Sequence, residues 1–385
     1  MAPPFLDAAQ EAAVTIPYDN IENRLRSVLD THGIALVTGV VEETKCEELT
    51  SLFRADLMDV VDREAAQAAG GDVADVAALS AKDEQAWPLG SMTELGALDT
   101  LGLARNRGLP HGRFAWAARM IPTVRRIYEV LYKSDDLVTS IDAPFFTPGG
   151  QQALAVDYNW PHVDHNENVP RQGQYEVFQG ILYIRDSVTE ASSTTVVWPD
   201  SHLSPYKRLM ADPYVKASGW RHEDYADLID SMQMEWRAAA RRVRAPAGSL
   251  FIFSSRVVHQ GWSGGPRLAQ PVCWEPRGRR NRLAHERKLR LTALGLPSTH
   301  SASSGQPHPL LGYPPEPWAY VPAGRKGGVQ LPLRPIIKSY AVTVDKQLLS
   351  NLQESLWKMD WSEQLPTNVL KELESCIKDE FRAVL

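Results

Sequence analysis

The stretch that decides the fold reads Gly248-Ser-Leu-Phe-Ile-Phe-Ser-Ser-Arg-Val-Val-His259-Gln-Gly-Trp262. Within it, residues 250–253 form a short apolar and aromatic run, which is typical of a buried β-strand. Gly248 precedes this run, and Gly264-Gly265-Pro266 follow soon after the histidine, so turn-forming residues bracket the segment. The sequence therefore predicts that His259 stands at the end of a buried strand and is followed by a turn.

A second informative stretch lies upstream and reads Tyr158-Asn-Trp160-Pro-His162-Val-Asp164. Alternate residues of an extended chain point to the same face. The residues that share a face here are Tyr158, Trp160, His162 and Asp164. A proline tolerates an extended backbone but donates no ladder hydrogen bond, which predicts an edge strand or a bulge. Two imidazoles and one carboxylate, from His162, Asp164 and His259, can occupy one face of an octahedral metal and leave the other positions open.

Two further segments accompany these candidate ligands. Residues 178–186 form a second apolar run that predicts a strand, and Gln179 and Tyr183 lie on one face of it. Hydrogen bonding to a cosubstrate and ordinary packing explain these two side chains equally well. Arg267 follows the turn after His259, where a guanidinium can pair with a carboxylate through two parallel hydrogen bonds. The alternative for Arg267 is a surface arginine at a turn.

In the order of these segments, the sequence resembles the phytanoyl-CoA dioxygenase-like branch of the Fe(II)/2-oxoglutarate oxygenases. The resemblance rests on the H-x-D motif at 162–164, the stretch VVWPDSH at 196–202 and the stretch from Gly248 to Arg267. It spans roughly residues 33–277. It implies an α+β fold with a double-stranded β-helix (jelly-roll) barrel, flanked by N-terminal, inserted and C-terminal helices.

The resemblance also implies roles for the site residues. His162, Asp164 and His259 would bind Fe(II), and Arg267 would bind the distal carboxylate of 2-oxoglutarate, with O2 as the further reactant. Two departures concern the arginine: its spacing from His259 is shorter than the family usually shows, and Pro271 interrupts the strand expected after it. Related halogenases carry a small residue at the place of Asp164. The retained carboxylate favours hydroxylation, or a related desaturation, cyclisation or epimerisation, of an unactivated C–H bond.

Composition narrows the choice of partner. The 385 residues carry a formal net charge of -6, and the absence of a basic excess argues against nucleic acid as a general partner. The chain has 11 tryptophans, and large aromatic residues line apolar pockets as well as cores. Tyr158, Trp160 and Trp262 are candidate pocket walls, with core packing as the alternative. We expect a small-molecule substrate, a natural-product or lipid-type intermediate.

Cysteine usage and hydropathy bear on the compartment. Cys46, Cys273 and Cys376 are far apart and form no CxxC pair, which fits a reducing cytosol. The first thirty residues carry no apolar signal segment, and no window approaches the length of a membrane span. We expect a cytoplasmic protein without membrane contact, and the sequence leaves its oligomeric state open.

For the domain organisation, we expect a single catalytic domain over residues 1–385. An N-terminal helical and flap region would cover 1–133, and the jelly-roll core would cover 134–277 with a helical insertion at 205–242. A basic, irregular segment with closing helices would cover 278–385. Periodicity and capping signals predict individual helices. Their spans are 21–32, 44–69, 115–132, 344–357 and 368–384.

Several alternatives stay open at this stage. His165 is a second candidate for the first histidine ligand, and His202 is expected to fix a turn. The basic run over 277–290 is typical of a solvated face, and its alternative is a site for an anionic substrate such as a phosphate, a carboxylate or a CoA thioester. Two other classes compete with the oxygenase: a non-catalytic or differently metallated cupin-like protein, and a nucleic-acid oxygenase.

Overall fold

The computed structural model describes residues 2–68, 108–147, 160–169, 175–218, 225–262, 264–304, 318–320, 330–332, 339–343, 352–353, 356–357 and 359–385. The chain forms two compact units. The first unit comprises Met1–Cys46, Arg126–Lys133 and Thr147–Ala269. The second unit comprises Glu47–Arg125, Ser134–Phe146 and Gln270–Leu385. Helices and strands occur in both units, so the fold is of the mixed α+β kind.

Runs of helices and runs of strands follow one another along the described chain. The helices are α1 Ala8–Val14, α2 Ile21–His32, α3 Glu43–Ala68, α4 Arg113–Arg119, α5 Pro122–Tyr132, α6 Ser204–Ala211, α7 Pro213–Ser218, α8 Asp230–Ala239, α9 Arg282–Leu294, α10 Thr367–Cys376 and α11 Asp379–Arg382. The strands are β1 Thr15–Pro17, β2 Ile34–Thr38, β3 Leu137–Thr139, β4 Phe145–Thr147, β5 His162–Val163, β6 Phe178–Tyr183, β7 Thr194–Val197, β8 Ala226–Asp227, β9 Arg241–Arg242, β10 Leu250–Ser254, β11 His259–Trp262, β12 Arg267–Val272, β13 Trp274–Pro276, β14 Trp318–Tyr320 and β15 Gln330–Pro332.

The first sheet is built around β10, the predicted buried strand. All five of its residues are buried, as expected for an apolar run that is covered on both faces. Phe251 pairs with Leu36 of β2 on one side and with Ile181 of β6 on the other, and both pairings are antiparallel. Five neighbouring strands follow the order β1-β2-β10-β6-β12. The deciding stretch of the sequence therefore occupies the middle of this sheet.

The second sheet belongs entirely to the first unit and has the order β8-β5-β11-β7-β9. Helices α6 and α8 pack on it through a shared apolar cluster. The strand side of this cluster includes Val163, Val196 and Val258, and the helix side includes Leu209 and Trp236. Burying side chains of this size contributes roughly 1.5–3 kcal/mol each relative to exposure. This packing holds β5 and β11 in place, the two strands that carry the candidate histidines.

The closed barrel implied by the resemblance is not observed. The strands of each sheet follow one another in a linear order, and neither sheet closes on itself within the described residues. The second sheet ends in β8 and β9, which have two residues each. Such short strands provide few ladder hydrogen bonds with which a sheet could close. The described residues thus form two larger open sheets, two two-stranded sheets (β13-β3 and β14-β15) and helices.

Helix boundaries follow the sequence signals in part. Helix α2 ends at Gly33, which has the left-handed φ of 72° expected of a glycine stop. The continuous helix predicted over 115–132 is wrong, because α4 and α5 are separate, whereas the expectation that Pro122 can start a helix is confirmed: α5 begins at Pro122, whose missing N–H suits a first turn. The single helix predicted over 368–384 is also wrong. There the backbone is extended at Ile377, which forms a bridge with Val342.

The basic run of the second unit is largely buried in its C-terminal half, so the expectation of a solvated face is wrong there. Helix α9 begins after Asn281, whose side chain accepts a hydrogen bond from the Ala284 amide. Arg287, Lys288 and Arg290 of this helix are buried. They donate to Trp361 O at 2.6 Å, Ser298 Oγ at 2.6 Å and Leu356 O at 2.6 Å, respectively. Buried cations persist when such hydrogen bonds satisfy them.

Two further observations concern the expected compartment. Cys46, Cys273 and Cys376 are all buried and free of disulfide bonds. Across the described residues, no helix combines the length and the apolarity needed to cross a bilayer.

Two predictions concern residues that the structure does not describe. The predicted helix at 344–357 falls mostly outside the described residues, and Tyr158 lies outside them.

Candidate metal centre

The two sheet strands β5 and β11 bring the candidate histidines together. His162 and His259 are directly opposite each other in the antiparallel register of these strands, and their ring centroids lie 4.4 Å apart. Asp164 follows β5 immediately, and its amide donates to Ser255 O at 2.9 Å. One ligand atom from each of the three residues lies within 4.8 Å of the others. The H-x-D motif and the strand-end histidine thus converge on one point.

The hydrogen bonds of the imidazoles define which nitrogens face that point. His162 Nδ1 lies 2.9 Å from Trp160 O, and His259 Nδ1 lies 3.0 Å from Val257 O. A carbonyl accepts only from an N–H, so Nδ1 of each ring carries a proton, and in the neutral form of each ring Nε2 carries the lone pair that a metal needs. The Nε2 atoms lie 3.4 Å and 3.1 Å from the carboxylate oxygens of Asp164. In the neutral rings these lone pairs would repel the carboxylate, and a divalent cation between them would turn the repulsion into coordination.

Burial and charge act differently on the two imidazoles. Burial disfavours the imidazolium of His162, but the neighbouring Asp164 carboxylate outweighs it and raises the pKa of His162. Burial lowers the pKa of His259, and the proximity of His162 lowers it further. His162 therefore takes up a proton before His259 does. Metal binding requires both imidazoles to be neutral and the aspartate to be ionised.

The carboxylate ligand is held by an amide. Gln179 is buried in β6, and its Nε2 donates to Asp164 Oδ2 at 3.0 Å and to Ser255 Oγ at 3.1 Å. An amide N–H favours the ionised form of a carboxylate, which is the form that binds metal. The structure therefore places Gln179 against a candidate metal ligand, which is more specific than ordinary strand packing.

Arg267 lies at the start of β12 and is buried, with 6% of its surface exposed. Its NH2 donates to Tyr183 Oη at 3.0 Å and to Thr195 Oγ1 at 3.3 Å. Both of these hydroxyl groups orient the guanidinium. The expectation that Pro271 interrupts the strand is wrong, because β12 runs from Arg267 through Pro271 to Val272. The φ of proline is compatible with an extended strand.

The predicted aromatic wall is present only in part. Trp160 stacks on His162, with 4.0 Å between ring centroids and 21° between ring planes, and 41% of it is exposed. Its indole N–H donates to Asp227 Oδ1 at 2.6 Å. Tyr225 packs edge-on against Trp160, with centroids 5.7 Å apart. Trp262, by contrast, packs against the apolar cluster of the second sheet.

The two other histidines lie outside this group. His165 is buried, and its ring centroid lies 6.1 Å from that of Tyr206. His202 lies near the end of α2, with its Nε2 3.2 Å from Asp30 O. Its ring fills the space beside Gly33, where a Cβ would come within 2.4 Å of Nδ1. This placement agrees with a structural role for His202 at a turn.

Sequence reasoning missed four residues of the site. They are Ser255, Thr195, Tyr225 and Asp227. The serine directly follows β10, so its place beside the strand end was a usable signal. Asp227 pairs with His162 through β8, a two-residue strand within a region expected to be helical. No periodicity marks so short a strand.

A 2-His-1-carboxylate centre of this kind is characteristic of non-haem metal oxygenases, and comparison with known proteins agrees. The family model Phytanoyl-CoA dioxygenase (PhyH) matches residues 29–263, more than half of the chain. The chain therefore belongs to the phytanoyl-CoA dioxygenase family, a family of oxygenases.

Individual relatives are more distant. The "Ava biosynthesis cluster protein O" of Aspergillus versicolor is 23% identical over 205 residues, which are 50% of this chain and 64% of that protein. The chain thus spans less than two thirds of the length of this relative. Among solved structures, the epimerase SnoN in complex with Fe3+, alpha ketoglutarate and nogalamycin RO is 16% identical with a TM-score of 0.39, covering 67% of this chain and 85% of that one. The non-heme monooxygenase ThoJ, as a Ni complex, is 14% identical with a TM-score of 0.37, covering 66% and 77%.

Proposed function

We propose that this protein is a non-haem Fe(II)- and 2-oxoglutarate-dependent dioxygenase that hydroxylates or otherwise oxidises an unactivated C–H bond of a small molecule. The observation that carries the proposal is the convergence of two imidazole Nε2 atoms on one carboxylate. His162 and His259 point Nε2 at opposite oxygens of Asp164, at 3.4 Å and 3.1 Å. This donor set suits Fe(II), with three positions left for other ligands.

Fe(II) with 2-oxoglutarate and O2 would supply the oxidising power for the C–H bond, and the side chains would position the reactants. His162, Asp164 and His259 are the proposed metal ligands. Arg267 would pair with the distal carboxylate of 2-oxoglutarate, because a guanidinium fork matches the two oxygens of a carboxylate. Tyr183 would orient Arg267, while Gln179 would keep Asp164 ionised and aligned.

The substrate would approach past the aromatic side chains beside His162. Trp160 has one face on His162 and is partly exposed, and Tyr225 stands edge-on to it. Such a wall suits an apolar or planar molecule. We propose a natural-product or lipid-type intermediate, and the similarity to a protein of a fungal biosynthesis cluster supports the first of these. Tyr158 remains a proposed wall residue outside the described residues.

Three further proposals concern the sheet architecture, the domain organisation and the cellular compartment. The two open sheets of the structure would be the halves of a double-stranded β-helix. The two compact units would act as one catalytic domain with the regions 1–133, 134–277 and 278–385. The protein would work in the cytoplasm.

The cosubstrate is tested by anaerobic spectroscopy. Adding Fe(II) and 2-oxoglutarate to the purified protein should produce the metal-to-ligand charge-transfer band of an Fe(II)–keto acid chelate. Asp164→Ala should lose the band together with the metal. In Arg267→Ala, Fe(II) binding should persist while the apparent affinity for 2-oxoglutarate falls by at least about tenfold, the loss of one buried charge-assisted pair.

Turnover is tested by succinate release over a panel of metabolites, with Asp164→Ala as the inactive control. Substrate-dependent succinate formation would support the oxygenase and begin to identify its substrate. Metal binding without the charge-transfer band would instead favour a cupin-like metal protein that does not use 2-oxoglutarate. Turnover stimulated only by DNA or RNA, and suppressed by salt, would favour a nucleic-acid oxygenase.

A further inference from the structure

A cationic cleft in the second unit is not accounted for by the metal centre. It has a volume of about 230 Å³ and is lined by Arg277, Arg280, Asn281, Arg282 and His285. These residues come from the exposed half of the basic run and from the first turn of α9. The two halves of the run thus differ, since the later arginines are buried and bound to carbonyls while these line an open depression.

The carboxylates beside the cleft do not balance its guanidinium groups. Arg277 Nε lies 2.8 Å from Asp136 Oδ1, and Arg282 Nε lies 2.7 Å from Glu286 Oε1. The second oxygen of Glu286 already accepts from the Leu365 amide at 2.6 Å. The hydrogen bonds of Arg280, in contrast, go to backbone carbonyls. Arg277 and Arg282 are therefore each paired with a carboxylate, whereas Arg280 forms no ion pair among the described residues.

Arg280 donates its hydrogen bonds to backbone carbonyls and not to a carboxylate. Its Nε donates to Ala302 O at 3.0 Å and its NH2 donates to Thr139 O at 3.4 Å. Its NH1 is shielded from solvent and has no hydrogen-bond partner among the described residues. Burial lowers the pKa of Arg280 to about 9, although nearby Glu275 acts in the opposite direction. The oxygens of Glu275 are taken by other donors, including Ser301 Oγ at 3.1 Å.

We propose that this cleft binds a phosphate-type oxyanion, either free or carried by a larger molecule. Guanidinium forks match the oxygens of a phosphate group, and three of them can engage more oxygens than a single carboxylate offers. The first turn of α9 adds N–H groups and the positive end of a 13-residue helix. The site is independent of the proposed oxygenase activity.

The test is calorimetric titration of the metal-free, full-length protein with inorganic pyrophosphate, in chelating-resin-treated buffer at constant ionic strength. Saturable binding is expected for the unaltered protein. The double variant Arg277→Gln/Arg282→Gln should bind at least about tenfold more weakly, since it loses two charge-assisted partners. Both side chains are substantially exposed, so the fold should tolerate the change. Arg208→Gln is the matched control, because Arg208 is equally exposed and also paired, with Glu235 at 2.7 Å, and its affinity should not change.

The source of the anion is identified by a parallel titration with ADP. Equal affinities for ADP and pyrophosphate, both lost in the double variant, would indicate that the phosphates alone are recognised. Tighter binding of ADP, lost to the same extent, would indicate a phosphate group on a larger molecule. The proposal is overturned if neither compound binds above a sodium chloride control, or if the double variant binds as well as the unaltered protein. The single variant Arg282→Gln repeats the test should the double variant unfold.

Discussion

The side-chain amide of Gln179 donates to Asp164 Oδ2 at 3.0 Å, and this oxygen also lies 3.1 Å from His259 Nε2. One residue of β6 therefore holds the carboxylate at the point where both histidines meet it. Replacing an outer partner of a metal ligand commonly lowers metal affinity by about 10–100-fold. Metal binding is therefore expected to depend on Gln179.

Gln179→Met retains the length of the side chain but removes its N–H donor. We expect about 10–100-fold weaker metal binding, because Asp164 loses the hydrogen bond that aligns it. Calorimetric titration with Ni(II), an oxygen-stable substitute, measures this affinity. Gln10→Met is the control, since Gln10 belongs to the exposed capping box of α1. Unchanged Ni(II) affinity in Gln179→Met would show that the contact does not support the metal ligand.

Trp160 offers an optical readout of the same centre. Its ring lies 4.0 Å from that of His162, so a transition metal bound to His162 should quench its fluorescence. We expect Ni(II) to quench the protein emission and Trp160→Phe to remove most of the metal-dependent change, although 10 of the 11 tryptophans remain. Trp262→Phe is the control, because Trp262 packs against the apolar cluster. Equal quenching in both variants would place the metal elsewhere.

The candidate metal ligands and two of their neighbours, Gln179 and Trp160, could be singled out from the sequence, whereas the remaining neighbours could not. The H-x-D motif and a histidine at the end of an apolar strand are local patterns, so His162, Asp164 and His259 were accessible to sequence reasoning. Asp227 reaches Trp160 only because β8 pairs with β5, and such tertiary pairing leaves no local pattern. The burial of Lys288 and Arg290 was not predicted for a similar reason, since their partners are mostly backbone carbonyls of other segments. Backbone acceptors have no sequence signature.

Asp56 of the second unit should make stability depend on pH. Burial raises the pKa of Asp56 from 3.8 to about 6, although the Phe114 amide donates to it at 2.9 Å and Arg113 pairs with it. A carboxyl with a raised pKa in the folded state favours folding only while it is protonated. This contribution is complete below pH 3.8 and is lost as the pH rises to about 6.

The variant Asp56→Asn lacks this titration. Between pH 4 and pH 7, we expect the stability of the variant relative to the unaltered protein to rise by up to about 3 kcal/mol, from a shift of about two pKa units. Urea unfolding monitored by circular dichroism at both pH values measures the difference. A relative stability that does not change with pH, or that falls, would contradict the direction given for the pKa of Asp56.

Gly248, which opens the deciding stretch, should tolerate no side chain. Its φ is 75°, and a Cβ at this position would lie 2.1 Å from Val41 O. The same turn is fixed by the Val40 and Val41 amides, which both donate to Gly248 O at 3.0 Å. Moving the backbone to relieve the clash would break these hydrogen bonds. Gly248→Ala should therefore combine a left-handed backbone penalty with overpacking, about 3 kcal/mol or more together.

Gly39→Ala separates the two effects. Gly39 has nearly the same φ, 70°, but a Cβ there would meet nothing within 4 Å. This variant should be destabilised only by the left-handed backbone conformation, by about 1 kcal/mol. Urea unfolding of both variants gives the difference, which measures the clash with Val41 alone. Equal losses in the free energy of unfolding would mean that the turn before β10 can shift. Strand β10, which precedes His259, would then be less firmly anchored than its hydrogen bonds indicate.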